Sequence, residues 1–254
     1  MTVVERDDTP MPQSADEAFG WDRRGAPQVR HSHAFLARLY TILHDRYPDV
    51  LAELLDAGAT EVRFGTDLPP TITNYEPEDS DGDVVMLACR RTTFEWVLRR
   101  VVLRSPDVEI RTGVGVEGFV GSAPADGPPT VLGVRLSDGT QLLAGIVVVA
   151  SGRRGDLGQW LQGIGVESML ETTDDTGIVY LSRFYRLRDG CDYPPRSGPI
   201  GGDLGYIKYG VFSGDNRTFS VTLAIPTDDL ELRRRLTDPQ AFDGCARGLV
   251  ATAA

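Results

Sequence analysis

A cluster of polar residues near the start of this sequence has types and spacings that could do chemistry. Residues 25–33 hold a glutamine, an arginine and two histidines ahead of a predicted helix: Gln28, Arg30, His31 and His33. Two histidines two positions apart would bind a metal only with a third ligand nearby, and no cysteine is close, so we predict no metal site. An arginine near a helix N-terminus suits an anionic ligand, although it is equally compatible with solvent.

Two glycine-rich turns could approach a phosphate, and their contexts differ. Residues 113–118 spell G-V-G-V-E-G, the literal G-x-G-x-x-G spacing. That fingerprint needs a helix directly after its glycines, and residues 119–124 cannot form one, so we interpret the match as incidental. The turn at Ser151 and Gly152 follows an apolar run at Ile146–Val149 and precedes a predicted helix. Either a nucleotide-binding turn or an ordinary strand-to-helix connection is consistent with it.

Glu5 is the third candidate, at the C-terminal end of the first predicted strand, Thr2–Glu5. In nucleotide-binding α/β sheets, an acid at the end of the second strand binds the adenosine ribose hydroxyls. From spacing alone, an ordinary surface glutamate is the simpler interpretation.

Composition excludes several classes of protein. The chain has 254 residues with 41% hydrophobic and 25% charged content, which is typical of a globular protein. Its longest apolar run, Leu142–Ala150, is far shorter than the roughly 20 residues of a membrane-spanning helix. The net charge of -11 disfavours nucleic acid as a partner. Three cysteines without CxxC spacing exclude a disulfide framework or zinc ribbon, and with the acidic N-terminus they predict a cytoplasmic protein.

The apolar periodicity predicts mixed helices and strands. Helical spacing covers residues 33–57, with a break at Pro48, and recurs at Thr92–Arg104. The remaining predicted elements are a β-meander at Gly118–Leu143, a strand buried on both faces at Ile146–Val149, long alternating strands between Ile178 and Ile225, a helix at Thr227–Leu236 and a tail from Gly244.

The order of five segments is more specific than any one of them. In sequence they are residues 2–7 (TVVERD), 27–33 (PQVRHSH), 91–96 (RTTFEW), 147–153 (VVVASGR) and 182–186 (SRFYR). This series resembles FAD-dependent monooxygenases and reductases of the para-hydroxybenzoate hydroxylase and geranylgeranyl reductase type, over residues 2–245. The resemblance implies an α/β fold with α+β elements: an incomplete Rossmann-like FAD-binding sheet interleaved with an antiparallel substrate-side sheet. The corresponding domains would be 1–165 and 166–254.

The resemblance also implies roles for individual residues. Glu5 would bind the FAD ribose, with Arg6 beside the adenosine. Gln28, Arg30 and His33 would line the flavin and pyrophosphate. Further cofactor contacts would come from Arg91, Ser151 and Gly152, and the strands from Ile178 to Ile225 would cover a substrate pocket. No catalytic residue is identified.

The implied function is that of an FAD-dependent oxidoreductase, an NAD(P)H-dependent monooxygenase acting on an apolar or aromatic small molecule. Such proteins begin with a strand and a G-x-G-x-x-G turn roughly 20 to 30 residues before the ribose acid, and they carry a late Gly-Asp motif. Neither is found, since Gly202-Asp203 lies among the substrate-side strands. We therefore expect a truncated form with weakened FAD binding. The alternative is a non-catalytic remnant, either a pseudoenzyme or an interaction module, that does not bind FAD by itself.

Overall fold

The fold combines helices with several small sheets. The computed structural model describes residues 1–65, 68, 72–122, 127–152, 155–193 and 200–253. In chain order the helices are α1 (Ala15–Ala18), α2 (Ala37–Arg46), α3 (Pro48–Asp56), α4 (Arg91–Leu103), α5 (Leu157–Gln162), α6 (Leu230–Leu236) and α7 (Pro239–Ala253). The strands are β1 (Thr2–Glu5), β2 (Thr60–Arg63), β3 (Val85–Ala88), β4 (Glu109–Thr112), β5 (Val116–Ser122), β6 (Thr130–Leu136), β7 (Gln141–Leu143), β8 (Ile178–Arg186), β9 (Gly201–Asp203), β10 (Lys208–Ser213) and β11 (Thr218–Pro226).

The chain divides into two compact units, each made of segments that are distant in sequence. The first unit contains Met1–Pro10, Asp22–Pro27 and Val102–Asp175. The second unit contains Met11–Trp21, Gln28–Val101 and Thr176–Ala254. The domain boundary near residue 165 stays a prediction.

The first unit contains a parallel strand pair and an antiparallel meander. β1 and β4 run parallel with Glu5 opposite Thr112. β5, β6 and β7 form a three-stranded antiparallel sheet, which confirms the predicted meander. Within the G-V-G-V-E-G run, Gly113 adopts a positive φ of 73° and β5 begins at Val116. A strand instead of a helix follows these glycines, so the interpretation of the match as incidental is confirmed.

The predicted buried strand at Ile146–Val149 is wrong. These residues adopt no strand, and the side chains of Ile146 and Val148 are 83% and 82% exposed. A strand buried on both faces needs hydrogen-bonded neighbours, and among the described residues none pairs with this segment. The apolar run shows that the segment is hydrophobic, but it does not determine which strands, if any, lie beside it.

Gly133 allows β6 and β7 to approach closely, which leads to a testable prediction. A Cβ atom built at Gly133 would overlap the Leu142 carbonyl oxygen. We expect Gly133→Ala to lower the free energy of unfolding by about 1–3 kcal/mol, because the backbone of β7 must shift. Gly145→Ala, at a position where a Cβ meets nothing within 4 Å, is the control. Urea denaturation followed by circular dichroism measures both, and equal stabilities would contradict the close approach.

Helices and a two-stranded sheet form one core of the second unit. The break at Pro48 is confirmed, since proline occupies the first turn of α3, and Gly58 ends that helix with a φ of +97°. β2 and β3 form an antiparallel pair, and the apolar periodicity of the sequence did not predict β2. The buried apolar residues of this core include Trp21, Phe35, Tyr40, Leu43, Val50, Leu51, Leu54, Leu87, Trp96 and Val97.

A four-stranded antiparallel sheet forms the rest of the second unit. Its strand order is β8-β11-β10-β9, and β9 was not predicted. Leu223, Ile225 and Phe242 are at most 1% exposed and belong to one apolar cluster that joins the sheet to α6 and α7. The prediction of a tail after Gly244 is wrong, because α7 continues to Ala253. Two glycines, Gly244 and Gly248, lower the helix propensity of a segment that packing nevertheless keeps helical.

Candidate functional site

A cavity of about 470 Å³ lies within the second unit, between residues 28–33 and the four-stranded sheet. Its volume falls in the range of small-molecule sites. The lining residues are Gln28, His31, Ser32, His33, Ile178, Val179, Tyr180, Ser182, Phe212 and Thr222. The lining residues that the structure describes include aromatic and aliphatic side chains, hydroxyls and imidazoles, and none of these described residues is an aspartate, glutamate, lysine or arginine.

Local anchors hold residues 28–33 at the cavity. A short 3-10 turn covers Pro27–Arg30 and buries Val29 to 3% exposure. At the other end of the segment, the Phe35 carbonyl accepts a hydrogen bond from the backbone N–H of Leu87 at 3.0 Å. Buried apolar side chains therefore anchor both ends of residues 28–33, and polar side chains between these anchors line the cavity.

Strand alternation supplies the opposite wall. Along β11, Leu223 and Ile225 join the apolar cluster with the helices, whereas Thr222 lines the cavity. The antiparallel register places Thr222 opposite Ser182 of β8. Because successive strand residues point to opposite faces, one face of the sheet is a core and the other carries hydroxyl groups.

Hydrogen bonds connect the hydroxyls of the two walls. The Ser182 and Thr222 hydroxyl oxygens are 2.7 Å apart. Thr222 donates to the Ser32 hydroxyl at 2.6 Å, and Ser32 donates to the Ser220 hydroxyl at 2.7 Å. The Nδ1 atom of His31 lies 3.3 Å from the Ser182 hydroxyl oxygen. These contacts tie residues 31 and 32 to the face of the sheet.

The surroundings of His33 lower the pKa of its imidazole and so favour the neutral form. Burial is the largest cause that lowers the pKa of its imidazole, and the positive charge of Arg91 acts in the same direction. Its Nδ1 atom lies 2.8 Å from the His31 carbonyl oxygen. Because a carbonyl oxygen only accepts, Nδ1 of His33 carries the hydrogen and Nε2 remains an acceptor.

The eight residues predicted to bind the cofactor are divided between the two units. Gln28, Arg30, His33 and Arg91 belong to the second unit, and Glu5, Arg6, Ser151 and Gly152 belong to the first. Of these eight, Gln28 and His33 line the cavity, together with strands that were predicted to cover a substrate pocket.

The two arginines of the second unit have local partners. Arg91 opens α4 and donates through Nε to Glu95 at 2.8 Å. Arg30 is exposed and reaches the Gly20 carbonyl oxygen at 3.4 Å.

The candidates in the first unit have different surroundings. Glu5, at the end of β1, accepts a hydrogen bond from the Arg23 guanidinium at 2.6 Å, and Arg6 is exposed. Ser151 and Gly152 are exposed, and Gly152 has a positive φ of 72°. Arg153, part of the same quoted segment, lies outside the described residues. The cofactor roles of all eight residues remain predictions.

Sequence reasoning missed the hydroxyls that form the polar edge of the cavity. Ser32 and Ser182 lie within two of the five quoted segments but were given no role, and Ser220 and Thr222 lie in none of these segments. The available signal was the alternation of Ser220, Thr222 and apolar residues along one strand, which indicates a polar face but gives no partner.

The described parts of the chain carry neither a metal-ligand cluster nor a membrane-spanning helix. No group of three or more metal-ligating side chains converges in these parts of the chain. None of the helices described is long and apolar enough to cross a lipid bilayer.

Comparison with known proteins relates this fold to a flavoprotein structure. No family model matches the chain. The structure of PqsL, described as a probable FAD-dependent monooxygenase from Pseudomonas aeruginosa, aligns with a TM-score of 0.61 over 97% of this chain and 58% of PqsL, at 16% identity. This chain shares its fold with PqsL. PqsL in complex with 2-aminobenzoylacetate aligns with a TM-score of 0.60 and 16% identity, over 93% of this chain and 56% of that one.

One curated protein also aligns in sequence. Protein Rv3254 of Mycobacterium tuberculosis is 27% identical over 217 residues, which cover 75% of this chain and 40% of that protein. The chain thus spans two fifths of this relative and less than three fifths of PqsL.

Proposed function

We propose that this chain belongs to an FAD-dependent oxidoreductase, a monooxygenase that takes its reducing equivalents from NAD(P)H and acts on an apolar or aromatic small molecule. The observation that carries the proposal is the cavity of about 470 Å³ with apolar walls and a hydroxyl edge, in a fold shared with PqsL. The similarity supports the fold, and the chemistry of the lining residues supports the class of ligand.

The described residues fit the chemical parts of FAD within each unit. In the first unit, the Glu5 carboxylate at the end of a parallel strand can accept hydrogen bonds from a ribose diol. In the second unit, the Arg91 guanidinium can attract a phosphate, and Gln28 and His33 offer polar contacts beside aromatic walls. The remaining proposed contacts come from Arg6, Arg30, Ser151 and Gly152. When bound, FAD supplies the redox chemistry, and the protein orients and shields the reactants.

The chain's own residues would exclude water and orient the ligand. Ile178, Tyr180 and Phe212 supply apolar contact area, while the hydroxyls of Ser32, Ser182 and Thr222 are already held by hydrogen bonds. Preorganised polar groups in an apolar cavity fix the orientation of a bound ring at little entropic cost.

A non-catalytic interaction module is the second candidate function. It is favoured by the exposed apolar side chains of the first unit, where Ile146 is 83%, Val148 is 82% and Leu170 is 99% exposed. Exposed apolar side chains are suited to contacts with another protein surface. On this alternative, the chain would not bind FAD.

Flavin content distinguishes the two candidates. Purified residues 1–254 are titrated with FAD, and bound flavin is measured by absorbance near 450 nm after removal of free cofactor. We expect saturable binding at one flavin per chain, with the weakened affinity that the sequence predicts. Replacing Arg91 with glutamine should weaken FAD binding about tenfold, because a charged hydrogen-bond donor to phosphate is lost.

Arg233→Gln, on the exposed last turn of α6, is the matched control and should leave the affinity unchanged. A folded protein that retains no flavin would favour the interaction module. The same titration tests the expectation that FAD binding is weakened, through the FAD concentration at half-saturation.

A further inference from the structure

Three charged side chains of the first unit form a row that ends at Glu5. The Arg23 guanidinium donates through Nη2 to the Glu5 carboxylate at 2.6 Å, and its Nε atom lies 3.8 Å from the Asp7 carboxylate. The exposed fractions of the Arg23, Glu5 and Asp7 side chains are only 16%, 20% and 9%. Solvent therefore screens these ion pairs less than it screens a pair on the open surface.

Asp7 is held from its other side by Thr9. The backbone N–H and the hydroxyl of Thr9 donate to the same Asp7 oxygen, at 3.0 and 2.6 Å. Burial alone would raise the pKa of the Asp7 carboxyl, but the hydrogen bonds from Thr9 and the charge of Arg23 outweigh burial and lower this pKa. Asp7 is thus a fixed, ionised partner for Arg23.

The next arginine along the chain is in a different environment. Arg24 pairs with Asp22 at 3.1 Å, but the side chains of the two residues are 83% and 59% exposed. Two adjacent arginines with the same charge therefore differ, because Arg23 is packed against the end of β1 and Arg24 lies in solvent.

The backbone of Glu5 is fixed by strand pairing. β1 runs parallel to β4 with Glu5 opposite Thr112, and the Glu5 carbonyl accepts a hydrogen bond from the Val114 N–H at 3.4 Å. A glutamate side chain still loses rotamer freedom when it binds a ligand, and a side chain ordered in advance avoids this entropic cost. A carboxylate accepts up to about four hydrogen bonds, so the bond from Arg23 is compatible with two more from a diol.

We propose that Arg23 is a positioning residue for ribose recognition, which holds the Glu5 carboxylate in the orientation that accepts hydrogen bonds from a 2′,3′-diol. Asp7 and Thr9 in turn hold Arg23. Arg23 acts through Glu5 and makes no contact of its own with the ligand. The inference rests on the part of the proposed function that assigns a ribose to Glu5, and it concerns the adenosine half of the cofactor.

Two matched nucleotides test this role: ADP, and 2′,3′-dideoxy-ADP, which lacks only the hydroxyls of the diol. Ligand-observed NMR titrations measure the affinity of each for the intact chain. We expect the parent protein to bind ADP about tenfold more tightly, because the diol donates to a charged acceptor. In Arg23→Gln this preference should fall below about threefold, although Glu5 is unchanged. A merely structural defect would weaken both nucleotides equally and leave their ratio unchanged.

Further variants separate positioning from direct contact. Arg24→Gln is the matched control and should keep the full preference for ADP. Arg23→Lys retains a charged donor for Glu5 and should keep most of the preference. Glu5→Gln should lose the preference, and addition of Arg23→Gln to Glu5→Gln should lower the ADP affinity no further, because both residues act on the same hydrogen bonds.

A full preference for ADP in folded Arg23→Gln would overturn the inference, as would equal affinities of the parent for the two nucleotides or the failure of both to bind. A further loss of ADP affinity in the double variant would show that Arg23 contacts the nucleotide directly, which contradicts a positioning role. Flavin content is measured separately. FAD binding without a preference for the diol would refute this inference alone, whereas a diol preference in a protein that retains no flavin would refute only the proposed function.

Discussion

Replacing Asp215 with asparagine is expected to lower the free energy of unfolding by about 3–5 kcal/mol, because it removes the buried charge that pairs with the Arg90 guanidinium and leaves Arg90 with a longer ion pair to Asp16 at 3.4 Å. Asp215 is 0% exposed and the Arg90 side chain is 4% exposed. The carboxylate accepts hydrogen bonds from Arg90 Nη2 at 2.6 Å and from the Arg90 backbone N–H at 2.7 Å. The Thr93 hydroxyl donates a further bond at 2.9 Å. An asparagine amide would place its own N–H hydrogens against these donors.

The loss should be measured by urea unfolding, followed by circular dichroism, beside Asp203→Asn. Asp203 pairs with Lys208 at 3.0 Å on the same sheet, but both side chains are more than half exposed. Water and salt screen that pair, so its loss should leave the unfolding midpoint unchanged. Similar stabilities for the two variants would show that Arg90 finds other partners and that the buried pair is dispensable.

The position of Asp215 explains why its effect should be large. It lies in the turn between β10 and β11, which hold Phe212 and Thr222 at the cavity. Its neighbour Asn216 adopts a φ of 51° and donates through its side chain to the Ala57 carbonyl at 2.9 Å, at the end of α3. The turn therefore connects the sheet to the helical core of the same unit.

Replacing Phe242 with alanine should lower the free energy of unfolding by about 3–5 kcal/mol, the usual range for a buried phenylalanine. Phe242 is 1% exposed and belongs to the apolar cluster that contains Leu223 and Ile225. The Arg183 guanidinium lies 5.8 Å from the centre of its ring. Removal of the ring leaves a cavity between α7 and the sheet, and α7 depends on that contact because its own glycines weaken it.

Leu230→Ala on α6 is the control for this prediction, because Leu230 is 69% exposed and should change stability by less than about 0.5 kcal/mol. Hydrogen exchange would locate the effect in Phe242→Ala, with the amides of α7 losing protection first. Equal free energies of unfolding for Phe242→Ala and Leu230→Ala would contradict the packing of this ring in the apolar cluster.

Local chemistry in the sequence was enough to predict many of the elements. The helical spacing of residues 92–104 and the proline at position 48 predicted α4 and the start of α3 to within one residue. Alternation predicted strands between Ile178 and Ile225, where β8, β10 and β11 lie, and a meander at Gly118–Leu143, where β5, β6 and β7 lie. These signals act within a few residues of the chain, so they can be read without knowing what each element contacts.

Two of the sequence predictions were wrong because the structure of each segment depends on what packs against it. Ile146–Val149 is as apolar as a buried strand but has no hydrogen-bonded neighbour among the described residues. Residues 244–253 look like a tail by propensity, yet α7 forms because Phe242 and Ala246 pack into the cluster on the sheet. Hydrophobicity and secondary-structure propensity are properties of the segment alone, whereas its burial depends on which other parts of the chain pack against it.

The same distinction applies to the candidate site. The sequence by itself determined that Gln28, His31 and His33 stand together ahead of a helix and that serine and threonine alternate along β11. Only the tertiary structure decided that Ser32 contacts Ser220, 188 positions away, and that Arg90 pairs with Asp215, 125 positions away. Strand register and loop anchoring set these contacts, and both depend on long-range packing that no local pattern encodes.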